Sequence, residues 1–337
     1  MLKKILKVVL FLILAIVFFL MTLYRPDLTP DYIEGKYETP ESIFLDIDGQ
    51  KVHLRLVGEG EPVFLIHGSF SSLHTWDVWQ KEMSPYFLTI SIDLPGHGLT
   101  GPSEEKRYSV KDYSILIQKI TDKLDLESFH LAGNSMGGAV AMQVASDNPS
   151  MVRSLNLVNS ASAPRKAVEP RKLENGEEPK RDEIFIFKLA RNPVFSKLLL
   201  KCTPKFLFKM NMEQVYFDQE KISEEVLDRY YELMLREGNR QATLDRLLGA
   251  RGADIDFEKL RMPTLITWGK HDNWIPLSNG RALEETIPGS KLKVFENAGH
   301  VPMEEIPTES VAEYLAFLGV EVRNDYFSGP QLISSNE

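Results

Sequence analysis

A serine, an aspartate and a histidine of this chain sit in surroundings suited to covalent chemistry. They are Ser135 in Gly133-Asn134-Ser135-Met136-Gly137, Asp272 in Gly269-Lys270-His271-Asp272, and His300 in Asn297-Ala298-Gly299-His300. A serine hydroxyl is a weak nucleophile at neutral pH. It needs a base within reach, and the base needs a group that holds its tautomer. Glycines two positions either side of a serine suit a tight strand-to-helix turn that lifts the hydroxyl clear of its sheet. The chemistry expected of this trio is attack by Ser135 on a carbonyl carbon, with His300 as base and then acid, and Asp272 orienting the imidazole. His271 is a weaker candidate for the base, because its side chain and that of the adjacent Asp272 would diverge.

Attack on a carbonyl moves charge onto its oxygen, so preorganised donors must surround that oxygen. One expected donor is the Met136 N–H, directly after the nucleophile. The second comes from the loop His67-Gly68-Ser69-Phe70, with the Ser69 N–H preferred and the Phe70 N–H as the alternative. His67, and His97 in Pro95-Gly96-His97-Gly98, read as braces for their loops. No cluster of His, Cys, Asp or Glu has metal-ligand spacing, so neither a metal nor an organic cofactor is implied.

Each candidate needs an element that ends where it stands. Apolar runs at residues 63–66, 88–92, 128–131, 154–158, 264–268 and 291–295 have the composition of strands buried on both faces. Residues 43–46 and 52–57 flank Asp48-Gly49, a hairpin signal. Helical patterns at 110–124 and 139–145 alternate with these strands, which predicts a mostly parallel, doubly wound α/β sheet. Between residues 161 and 255 the alternation stops. Residues 166–183 read as a mobile charged loop, and residues 223–237 and 239–248 as helices, the first capped by Ser223. This insertion is expected to form a helical cap over the C-terminal edge of a core made of residues 41–160 and 256–325.

The 337 residues are 43% hydrophobic and 26% charged, an ordinary globular composition. A net charge of −9 argues against nucleic acid as a partner, and the single cysteine, Cys202, excludes an internal disulfide. Lys3, Lys4 and Lys7 surround the start of an apolar run that reaches residue 23 and is long enough to cross a bilayer. No small-residue cleavage site ends it. Residues 1–24 are therefore expected to be a retained membrane anchor, its N-terminus cytoplasmic and the body on the outer side; the alternative is a cleaved signal and a secreted body. Residues 25–40, with three prolines, read as a juxtamembrane linker. Residues 184–212 are aromatic and basic with no acid. The favoured reading makes them the apolar underside of the cap over the pocket, and the other makes them a surface that meets the bilayer.

Together, His67-Gly68, Asp93-Leu94-Pro95-Gly96-His97-Gly98, Gly133-Asn134-Ser135-Met136-Gly137-Gly138, Trp268-Gly269 with Asp272, and Gly299-His300 resemble the α/β-hydrolase family over roughly residues 40–320. Within that family a serine at the elbow, where haloalkane dehalogenases and epoxide hydrolases carry aspartate, implies an acyl-enzyme route. Ser69-Phe70-Ser71-Ser72 lacks the glycine- and proline-rich loop of members that cleave carbon–carbon bonds. The resemblance thus implies a capped serine esterase or lipase acting on a lipophilic carboxylic ester. The alternatives are carbon–carbon or amide cleavage on the same triad, or a non-catalytic binding protein on this scaffold.

Overall fold

In the computed structural model, which describes residues 2–164, 192–249 and 253–321, eight strands form one sheet in the order β1-β2-β4-β3-β5-β6-β7-β8. They are β1 (Ser42–Ile47), β2 (Gln50–Val57), β3 (Glu61–Ile66), β4 (Phe87–Ile92), β5 (Phe129–Asn134), β6 (Val152–Val158), β7 (Thr264–Gly269) and β8 (Lys291–Phe295). β1 and β2 are antiparallel to their neighbours, and every other pairing is parallel. The hairpin turns at Asp48 and Gly49, both at positive φ (53° and 82°), a turn whose twist matches its strands. This is the mostly parallel, doubly wound sheet expected from the alternation of strands and helices.

Helices cover both faces of the sheet, which is why the inner strands are buried along nearly their whole length. Val140, Val144, Ile117 and Ile120 pack with Phe64 and Leu131 on one side; they belong to α4 (Val110–Lys123) and α5 (Met136–Asp147), since α1 is Leu2–Leu23, α2 is Pro30–Tyr37 and α3 is Asp77–Met83. On the other side Trp79 of α3 stacks on Tyr314 at 5.4 Å, beside Val63, Leu65 and Leu265.

After β6 the described chain resumes with α6 (Pro193–Leu199), α7 (Lys205–Val215), α8 (Glu224–Leu235) and α9 (Asn239–Leu248). The charged stretch at 166–183, read as a mobile loop, lies outside the described residues. Ser223 caps α8 by accepting from the Val226 N–H, as its sequence context suggests. These helices dock through a buried polar knot. The Glu304 carboxylate accepts from Thr75 Oγ1 at 2.5 Å, from Tyr216 OH at 2.6 Å and from the Tyr230 hydroxyl. Arg229 lies 3.5 Å from Asp77.

Residues 25–40, read as a juxtamembrane linker, contain a short helix. Thr29 caps α2 by accepting from the Tyr32 N–H, Pro30 occupies a first-turn position where its missing N–H costs nothing, and Ile33 is fully buried. α1 is a continuous helix of 22 residues, about 33 Å long, and most of its described side chains are exposed. By length and composition it could cross a membrane.

Three buried imidazoles make the fold acid-sensitive. Burial holds His67 and His97 below the usual histidine range and pulls His74 down to about 3. An unfolded histidine titrates near ~6.5, so below that pH the unfolded chain binds protons that the folded chain refuses. Stability is therefore complete above about pH 6.5 and falls as the pH drops through the window between the unfolded value and the folded ones. Between pH 7.5 and 5.5 the fold is therefore expected to lose stability as these histidines take up protons in the unfolded chain and not in the folded one. Urea midpoints at the two pH values check this; an unchanged midpoint would show that these rings are not held neutral.

Candidate active site

β5 delivers Ser135 at φ 54°, ψ −117°, a conformation that is strained for any residue with a side chain. The surroundings hold it there. The Ser135 N–H donates to the Val158 carbonyl at 3.0 Å, and the Ser135 carbonyl accepts from the N–H groups of Gly138, Ala139 and Ala161. α5 starts at Met136, so the open N–H groups and positive end of that helix lie beside the serine. Gly137 is required by contact: a Cβ there would stand 2.2 Å from the Ile66 carbonyl oxygen. A Cβ on Gly68 would come within 3.0 Å of Ser135 Cβ, so the loop after β3 passes directly against the candidate nucleophile. In that loop Ser69 Oγ lies 3.6 Å from Met136 Sδ, and Phe70 takes a left-handed φ of 63°. The two residues expected to donate to an oxyanion are thus neighbours at Ser135.

Asp272 and His300 come from the loops after β7 and β8. His300 Nδ1 donates to Asp272 Oδ2 at 2.7 Å. Asn159 Nδ2 donates to the same oxygen at 2.7 Å, and Oδ1 accepts the N–H groups of Trp274 and Ile275 at 2.8 and 2.9 Å. Four donors on one carboxylate fix its orientation. Ser135, Asp272 and His300 are all buried, and His300 Nε2 is the ring nitrogen left to take a serine proton. No hydrogen bond joins Ser135 Oγ to His300 among the described residues; that contact is often long until substrate binds.

The competing histidine is elsewhere: His271 stacks flat on Phe217 with ring centroids 3.8 Å apart. His67 braces its loop. Its Nε2 accepts from the Leu94 N–H at 3.1 Å, so Nδ1 carries the proton and donates to the Gly68 carbonyl at 2.7 Å. His97 packs edge-on against His67 at 4.8 Å.

Four residues matter here that sequence reasoning missed. Asn159, besides holding Asp272, accepts from the Gly269 N–H at 3.2 Å. Asn134 Nδ2 donates to the His300 carbonyl at 3.0 Å. Glu305, whose carboxyl burial pushes up, ties the His300 loop to the chain after α7 by accepting from the N–H groups of Gly299, Phe217 and Asp218. Arg246 of α9 reaches down to the loop after β3: its Nη1 donates to Ser69 Oγ at 2.8 Å, and its guanidinium lies over the Phe70 ring. For Asn159 a signal existed, its place directly after a strand. For Arg246 none did. A narrow cleft of about 30 Å³ opens at His300 and Ser69, walled largely by Phe208, Met212, Trp274 and Val301.

A family model described as the alpha/beta hydrolase fold matches residues 61–307. The chain is 26% identical over 276 residues to a 2-hydroxy-6-oxononadienedioate/2-hydroxy-6-oxononatrienedioate hydrolase of a Pseudomonas species, covering 78% of this chain and 91% of that protein. It is 27% identical over 269 residues to the 2-hydroxy-6-oxo-6-phenylhexa-2,4-dienoate hydrolase of Comamonas testosteroni, covering 76% and 86%. Among solved structures, a bacterial membrane phospholipase A shares the fold with a TM-score of 0.63 at 24% identity, over 95% of this chain and 98% of that one.

Proposed function

The chain belongs to the α/β-hydrolase fold family, and from that premise we propose that it is a serine hydrolase that cleaves carboxylic esters with apolar acyl groups. Ser135 Oγ attacks the carbonyl carbon as its proton passes to His300 Nε2, while Asp272 steadies the imidazolium. The N–H groups of Met136 and Ser69, or Phe70 in place of Ser69, hold the oxyanion. Its collapse expels the alcohol, which takes the proton from His300. Water then releases the acid from Ser135 by the same steps. The observation that carries this reading is the Asp272–His300 pair, closed at 2.7 Å beneath an apolar cleft beside a strained serine.

Residues 161–255 serve as the cap over a core of residues 41–160 and 256–325. α1 anchors the protein in a membrane, with Lys3, Lys4 and Lys7 in the cytoplasm and the catalytic body outside; the alternative is a signal that is cleaved to release the body.

Carbon–carbon cleavage is the second reading, and one observation favours it. The named substrates of the two relatives are carboxylates, and Arg246 holds a guanidinium against the Ser69 hydroxyl where a substrate carboxylate could pair with it. The full chain should be assayed on p-nitrophenyl esters of rising acyl length and on a 2-hydroxy-6-oxo-dienoate. Ester turnover with a preference for longer acyl chains is expected; turnover of the dienoate alone overturns the ester reading. Arg246→Gln is expected to raise KM about 10- to 100-fold for a substrate bearing a carboxylate, and much less for a neutral ester.

A further inference from the structure

We infer that the outer face of α7 rests in the surface of the bilayer that holds α1, so that the helices over the site, and not the sheet, make the body's contact with lipid. This rests on reading α1 as a membrane anchor.

α7 is apolar on two opposite faces. Phe208 and Met212 point inward and wall the cleft. Phe206 and Met210, one turn apart on the other side, are 57% and 54% exposed, and Leu207 beside them is 38% exposed. A soluble surface helix ordinarily turns one stripe inward and covers the other with charge, so a second apolar face calls for a second apolar neighbour.

The path of the chain supplies that neighbour. The Arg25 N–H donates to the Lys201 carbonyl at 2.9 Å, and Cys202 Sγ lies 3.7 Å from the Leu20 carbonyl oxygen. The end of the anchor therefore touches the residues that lead into α7. Met210 is only about 8 Å further along that helix from Lys205. Beyond the anchor the chain is strapped to the neighbouring helices. Leu28 exchanges backbone hydrogen bonds with Leu235 and Glu237 at 2.8 Å each, Arg240 pairs with Asp27 at 2.6 Å, and Lys36 pairs with Glu232 at 2.7 Å. Such a strap does not let α7 swing freely away from the plane where α1 enters the membrane.

The chemistry also fits lipid. Exposed Lys209 flanks the apolar side chains and can reach headgroups while its stem lies against acyl chains, whereas Lys201 lies 3.8 Å from Asp27. Lys205 adds no free charge, because it is paired with Glu224 and Asp228. The contact is thus mainly apolar, with a minor electrostatic part.

The test uses the full chain in phosphatidylcholine–phosphatidylglycerol vesicles. In a Cys202→Ser background, Phe206→Cys or Met210→Cys carries a polarity-sensitive fluorophore, and Ile115→Cys, on an exposed position of α4, serves as control. A quencher borne on the lipid chains is expected to remove most of the emission at 206 and at 210, and to leave that at 115 unchanged. Equal quenching at 206 and 115 overturns the inference. So does a blue shift at 206 without lipid quenching, which would assign the face to a second copy of the chain. If the labelled sites stay unquenched while the protein resists alkaline extraction, the anchor stands and the docking fails. Release by alkaline extraction removes the anchor reading, and the docking with it.

Discussion

Ser135→Ala is expected to lower kcat about 10⁵-fold on whatever ester the protein turns over best. Removing the nucleophile of a serine hydrolase closes the acyl-enzyme route, and the remaining donors and bound geometry leave only a small residual rate. The fold should not notice. The bonds that hold position 135 are backbone bonds, to Val158, Gly138, Ala139 and Ala161, and alanine keeps all of them. The melting midpoint should therefore stay within about 2 °C of the parent. Two readouts separate a chemical role from a structural one. A fluorophosphonate should add its mass to the parent and not to the variant, and the burst of released alcohol that marks acylation should vanish. A variant retaining more than about one hundredth of the parent rate would remove Ser135 from the mechanism.

Much of this arrangement is legible in local signals, because each candidate residue stands at the end of an apolar run. A strand buried on both faces writes itself as unbroken Val, Ile and Leu, as in β3 and β7, and the residues just after such a run lie at the edge of the sheet where side chains converge. Ser135, Asp272 and His300 are visible for that reason. Asp48-Gly49 likewise marks its turn because few other pairs tolerate two positive φ values.

The hidden part depends on contacts far apart in the chain. Arg246 meets Ser69 from 177 residues away, and nothing in the sequence around either predicts it. Asn159 is visible as a residue after a strand, but its value lies in a bond to Asp272, 113 residues on. The stretch after α1 misleads for a different reason. Pro26, Pro30 and Pro40 read as breaks, yet Pro30 follows a capping threonine and starts a helix instead of ending one. The composition of Ser69-Phe70-Ser71-Ser72 disfavours carbon–carbon cleavage, yet two relatives are named as hydrolases of 2-hydroxy-6-oxo acids and not of esters. Loop composition reports how the chain turns, and only weakly which bond is broken.

The relay behind the serine makes a second large effect expected. Asp272→Asn should lower kcat about 10⁴-fold with a much smaller change in KM. The carboxylate accepts on both oxygens: from Trp274 and Ile275 N–H on Oδ1, and from His300 Nδ1 and Asn159 Nδ2 on Oδ2. An amide has only one acceptor side. If its oxygen faces the two backbone donors, its NH₂ faces His300, and the ring must turn Nδ1 into an acceptor. The proton then sits on Nε2, where it blocks the transfer from Ser135. If the amide flips, its NH₂ meets two N–H donors in a buried site, and each unmet donor costs about 1–3 kcal/mol. The first arrangement costs rate and also sets the amide NH₂ against Asn159 Nδ2. The second still lets the amide oxygen accept from His300 Nδ1, so the size of the loss in kcat tells which one the site adopts. A loss of kcat under about tenfold would show that His300 is held in its working tautomer by some group other than the Asp272 carboxylate, and would leave the carboxylate as a fastening for the Trp274 loop.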